Sequence, residues 1–190
     1  MKAGGGLTMA LTLAACGGSD DTTAVTTPTT PAAPITPATP VVTPVALTMA
    51  TARDVLTAND FTTAADTVSA TATTLTAVDV IAEGTAGDAD VLTVTVADGV
   101  NVAAPASITG IESVNYDVSA FTVPSIDVDN IIAAEITVSN LQAGGATGAN
   151  VDNLNGTSNV TFGAGVTGTA DVALAAGSDS VITAGSAAQL

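Results

Sequence analysis

The residues best placed to do chemistry lie in one short run, Gly84-Thr85-Ala86-Gly87-Asp88-Ala89-Asp90, with Asp79 and Glu83 just upstream. Gly87 permits a tight turn, and Asp88 and Asp90 are two apart on the bend it makes. Calcium takes about six to eight oxygen ligands from carboxylates, backbone carbonyls and water, and glycine lets a backbone curl toward such an ion. The same residues also fit a metal-free turn in which Asp caps the backbone itself. Both readings are open at this point.

Composition excludes much other chemistry. The 190 residues include 18 acids against two bases, Lys2 and Arg53, with no His, no Trp and a single Cys, for a formal net charge of −16. Without imidazole there is no His-assisted serine or cysteine hydrolase, and no His-ligated zinc, copper or haem. One Cys makes no intramolecular disulfide. Two bases cannot neutralise a phosphate backbone, so nucleic acid is not an expected partner. Paired carboxylates can hydrolyse glycosides, but sugar clefts usually stack rings on aromatics, and Phe61, Tyr116, Phe121 and Phe162 are all the chain has. A non-enzyme is expected.

Positioning begins with delivery. Met1 to Ala15 has one base, an apolar run from Leu7 to Ala15, and the box Leu13-Ala14-Ala15-Cys16 followed by Gly17. That run is far too short to span a bilayer. It resembles a bacterial lipoprotein signal peptide over 1–15. The resemblance implies that Cys16 becomes the lipid-bearing first residue. The single base ahead of the apolar run and its interruption by Thr8 and Thr12 depart from that pattern, and an upstream start codon is the expectation drawn from them. Gly17, in place of the aspartate that retains such proteins at the inner membrane, implies an outer-membrane, cell-surface or extracellular location. The membrane is then a partner through the lipid, since added acyl chains compound a single chain's marginal affinity. Residues 16–45 read as a disordered Pro/Thr-rich linker, with prolines at 28, 31, 34, 37, 40 and 44. Such spacing favours polyproline II, rising roughly 3 Å per residue.

Residues 46–190 read as one acidic β-repeat domain. Leu92, Val94 and Val96 share one strand face while Thr93 and Thr95 share the other, and Val114, Tyr116 and Val118 alternate in the same way. Further alternating runs start at Glu135, Asn159, Asp171 and Asp179. A helix is considered only near Thr51 to Ala58. One apolar residue near the start of successive strands gives Val68, Leu92, Val114, Ile136, Val160 and Ile182, spaced 24, 22, 22, 24 and 22 apart. Asp66, Asp90, Glu112, Glu135, Asn159 and Asp179 recur at nearly one phase beside them. This predicts a right-handed parallel β-solenoid, whose coils of about 22 residues stack at roughly 4.8 Å. A β-sandwich with evenly spaced strands is the alternative. The close at Ala187-Ala188-Gln189-Leu190 has no polar cap, so a longer reading frame is expected.

Four segments, FTTAADTVSAT, GTAGDADVLTVTV, PASITGIESVNYDV and AAEITVSNLQAG, resemble in order the repeat modules of bacterial surface-layer proteins and RTX-related adhesins. The resemblance covers about Phe61 to Gly185 and rests most on GTAGDADVL (84–92) and TGIESVN (109–115). It implies that Asp90, and by the same motif Asp66 and Asp179, sit at metal-binding turns, with calcium as cofactor. Tandem nonapeptides are absent, and Ala64-Ala65 replaces the Thr-Gly of that pattern. The expectation is a non-catalytic, lipid-anchored surface protein of surface-layer or adhesin type, self-associating on the cell. The alternative is a surface-exposed module recognising a polysaccharide or a protein.

Overall fold

The computed structural model describes residues 39–140, 148–156, 158–163, 165–176 and 180–183. Alternation of apolar and polar residues produces fourteen strands: β1 (Ala46–Thr48), β2 (Val55–Thr57), β3 (Thr67–Thr71), β4 (Val80–Ala82), β5 (Val91–Ala97), β6 (Ser107–Thr109), β7 (Ser113–Ser119), β8 (Ser125–Asp127), β9 (Ile131–Ile132), β10 (Glu135–Asn140), β11 (Ala149–Leu154), β12 (Asn159–Phe162), β13 (Ala170–Leu174) and β14 (Ile182–Thr183). Among the described residues there is no helix.

Every pairing between these strands is parallel. A long first sheet runs β1-β3-β5-β7-β10-β12-β14, a second runs β2-β4-β6-β9, and a third runs β8-β11-β13. The chain therefore winds as a β-solenoid of about six turns. The sandwich alternative is overturned, because its sheets would be antiparallel. Here each long-sheet strand returns beside its predecessor only after the chain has crossed another wall of the coil.

The expected apolar column is the observed register. Leu47, Val68, Leu92, Val114, Ile136, Val160 and Ile182 are paired rung to rung through the long sheet. A second inward column holds Ala70, Val94, Tyr116, Val138 and Phe162. Facing them, Leu56, Ile81, Ile108 and Ile131 stack in the second sheet, and Ile126, Val151 and Val172 stack in the third. Nearly all these side chains are buried in one core. Each fully buried Val, Leu or Ile contributes about 1.5–3 kcal/mol. The helix considered near Thr51 to Ala58 does not form. Val55–Thr57 pairs with Val80–Ala82 instead, because Leu56 gains a place in the second-sheet column that a single helical turn would not provide.

Candidate metal centre

The site is at the corner where the chain leaves the second sheet for the long one. In one coil this corner is long, Glu83 to Asp90; in the next coil it is Gly110 to Glu112, and in the one after only Ala133 and Ala134. The last residue before each long-sheet strand forms a column across coils, and Val45, Asp66, Asp90, Glu112 and Ala134 occupy it in turn, as the strand register requires. Glu135 and Asn159 lie one residue later and start the strands themselves. The acidic phase read from sequence is thus one column for Asp66, Asp90 and Glu112, and a neighbouring column for the other two.

Each acid in that column reaches back one coil and accepts a strand-start amide. Asp66 Oδ1 accepts from Val45 N at 2.7 Å, Asp90 Oδ1 from Asp66 N at 2.7 Å, and Glu112 Oε2 from Asp90 N at 2.8 Å. The carbonyl of the same residue accepts from the following coil, as in Val91 N to Asp66 O (3.0 Å) and Ser113 N to Asp90 O (3.2 Å). A corner that would break the parallel ladder is bridged by carboxylates instead. Asp79 does the same at the start of β4, taking Asp54 N at 2.8 Å, Thr76 N at 2.6 Å and the Thr76 hydroxyl at 2.9 Å.

Asp66 is fully occupied in this way, since Thr62 adds its amide and its hydroxyl. Burial pushes its carboxyl up, but the Thr62 and Val45 amides and the Thr62 hydroxyl outweigh that and leave it below the usual range. Asp90 differs. It is 0 % exposed, yet its Oδ2 has no hydrogen-bond donor. Glu83, 8 % exposed, accepts from Thr85 N on Oε1 and has no donor on Oε2. Both carboxylate oxygens of Asp88 are buried and without a donor. One oxygen from each of these three residues lies within 4.8 Å of the others. Burial, reinforced by the charges of Asp88, Asp66 and Glu83 and only partly offset by the Asp66 amide, raises the Asp90 carboxyl to about 6.

No protein-family model, curated protein or solved structure matches this chain.

Its functional reading therefore rests on its own residues. The loop that carries the triad is held in a particular shape. Gly87 has φ 90° and donates its amide to Glu112 Oε1 at 2.6 Å. Ala89 takes φ 72°, a left-handed backbone that costs about 1–2 kcal/mol for a residue with a Cβ. Gly110 has φ 88°, and a Cβ there would sit 2.5 Å from the Glu83 carbonyl oxygen, so only glycine lets the next coil close against the site.

Of the six acids singled out from sequence, Glu83, Asp88 and Asp90 come together. Asp66 borders them through its amide, but both its oxygens are committed to donors. Asp79 caps the second-sheet corner. Asp179 and Cys16 lie outside the described residues. Glu112 was not singled out as a site residue, although it clamps the loop with both oxygens. Its signal was the Thr-Gly-Ile-Glu run directly ahead of a strand. The chemistry this corner supports is the binding of a hard cation. Three carboxylates fit calcium by donor type, in a chain that has no imidazole.

Proposed function

We propose that the chain is a non-catalytic, lipid-anchored structural protein of the cell surface, of surface-layer or adhesin type. The observation that supports this most is the long sheet, one parallel ladder from β1 to β14 whose inward columns are filled by apolar side chains. A parallel stack of this kind is stabilised by contacts between neighbouring coils, which suits a stiff and extendable surface element. The Leu-Ala-Ala-Cys box and the proline-rich run supply the other half of the reading, an acylated Cys16 and a spacer that holds the solenoid off an outer membrane. The strongly acidic composition argues for partners other than nucleic acid.

The test is expression of the full chain in a Gram-negative host with labelled palmitate, followed by scattering and electron microscopy of the detergent-solubilised protein. Label that depends on Cys16, together with concentration-dependent assemblies, is the expected result. Equal labelling of wild type and Cys16→Ala removes the anchor, and a protein that stays monomeric removes the lattice role.

One observation favours the alternative of a binding module. A hollow of about 400 Å³ is floored by Met49 and Ala70 and rimmed by the hydroxyl-bearing Thr48, Ser69, Thr71, Thr74 and Thr95. A monomer that is depleted from solution by a cell-wall glycan fraction points to that reading.

A further inference from the structure

We propose that Glu83, Asp88 and Asp90 bind a single calcium ion at one corner of the solenoid, and that the ion fixes a loop hydrogen-bonded to the coils before and after it. The proposal does not depend on where the protein is displayed. It rests on four buried carboxylate oxygens without a donor, Glu83 Oε2, Asp88 Oδ1 and Oδ2 and Asp90 Oδ2, in a triad whose ligand atoms lie within 4.8 Å of one another. Two of the three side chains are more than nine-tenths buried.

Alternatives to a cation leave the site unbalanced. One shared proton satisfies at most two of the four oxygens and leaves two like charges in contact. Water donates hydrogen bonds but carries no charge to offset three carboxylates. Arg53, the one base among the described residues, donates from Nε to the Val78 carbonyl, away from the triad. A divalent cation offsets two of the cluster's three negative charges and takes one oxygen from each of the three residues at once.

The donors select the ion. All are hard oxygens, which disfavours soft and imidazole-seeking metals. The corner is an irregular loop with left-handed turns at Gly87 and Ala89, and calcium accepts such geometry, whereas magnesium demands a near-regular octahedron. The site shares Asp90 with the turns that the surface-layer resemblance implies but not Asp66, which is spent on amides and the Thr62 hydroxyl; Glu83 and Asp88 of the same corner complete it.

The consequence is structural coupling. Asp90 holds the Asp66 amide of the preceding coil with its other oxygen, and Glu112 of the following coil holds the Gly87 and Asp90 amides. An ion at Glu83, Asp88 and Asp90 thus fixes β3, β5 and β7 relative to one another without touching the last coils.

The test uses detergent-solubilised full-length protein stripped with chelator and titrated calorimetrically with calcium, then with magnesium. One tight calcium site per chain is expected, with magnesium at least tenfold weaker. Calcium at 100 times its dissociation constant should raise the melting temperature by roughly 5–10 °C. Asp88→Asn is the decisive variant, because it removes a charge with little change of shape. It should abolish the tight site and the calcium response, yet melt higher than wild type in chelator, since it relieves repulsion. Asp60→Asn, outside the triad, should keep both properties. Hydrogen exchange in chelator should rise over 61–118 and stay unchanged over 131–162. Several weak sites filled equally by magnesium, or a calcium response that survives Asp88→Asn, would overturn the proposal. So would lower stability of that variant in both calcium and chelator, which would mark Asp88 as a hydrogen-bond acceptor of the fold alone.

Discussion

Asp66 and Asp90 occupy the same column on adjacent coils, are both fully buried, and both cap the strand-start amide one coil back. Their carboxyls nevertheless shift in opposite directions. Asp66 has a second oxygen filled by Thr62 and lies below the usual range; Asp90 has a bare second oxygen beside Glu83 and Asp88 and rises to about 6. Burial raises both, so by itself it does not decide the outcome. The donors do, together with the neighbouring charges of Asp88 and Glu83, and both are properties of the corner rather than of the aspartate. One corner makes a finished structural cap; the other makes a cap with ligand capacity left over.

The most disruptive way to sharpen this contrast is a buried carboxylate with no donor at all. Val114 is fully buried in the apolar column between Leu92 and Ile136. Val114→Asp should destabilise by more than about 4 kcal/mol, or prevent folding, because an unpaired charge enters a dry core. Denaturant unfolding measures it, and a loss below about 1 kcal/mol would mean that the column is not packed as described.

Next in size is removal of the finished cap. Asp66→Ala strands the Val45 and Thr62 amides and should cost about 2–3 kcal/mol. The loss should be the same with calcium or with chelator, which separates it from changes at Asp88. A cost that disappears in calcium would mean that Asp66 belongs to the metal centre.

A pH series in chelator should expose the opposite signs. The Asp66 carboxyl lies below its ordinary value of 3.8, so the stability it contributes is present above pH 4 and is lost as pH falls through the lower folded value. The Asp90 carboxyl lies above 3.8, at about 6, so its contribution is present below pH 4 and is lost as pH rises through 6. Melting temperature should therefore fall between pH 4 and pH 6 in wild type, and that fall should flatten in Asp90→Asn. Asp66→Asn should instead reduce the fall below pH 4. An unchanged profile in both variants would break the comparison.

The smallest effect is expected at Thr93, one residue from Leu92 but on the outward face of β5. Thr93→Asp should change stability by no more than about 0.5 kcal/mol. A loss equal to that of Val114→Asp would remove the distinction between the faces.

Much of the fold was legible because a parallel solenoid converts register into sequence period. Val68, Leu92, Val114, Ile136, Val160 and Ile182 are spaced one coil apart in the sequence, and they pair rung to rung. The second sheet was not legible. Its strands at Val80–Ala82 and Ser107–Thr109 have three residues each, too few for alternation to stand out. Val55–Thr57 lay inside a stretch considered for a helix for the same reason. The acids were half legible. Glu83, Asp88 and Asp90 cluster in sequence and in space, whereas Glu135 fell one residue out of the column because its preceding corner is shorter.

The amino-acid sequence by itself determined the strand faces, the coil length, the column of apolar residues and the near-absence of basic side chains, all of which depend on residue type and spacing. The tertiary structure alone decided which amide of another coil each corner acid caps, whereas the donor that fills the second oxygen of Asp66 is local, from Thr62 four residues earlier. The cross-coil partners lie far apart in sequence: Val45 lies 21 residues before Asp66, Asp66 lies 24 before Asp90, and Gly87 lies 25 before Glu112. Local sequence places an acid at a corner, but whether an amide of another coil points at it depends on the lengths of both coils and on how they stack.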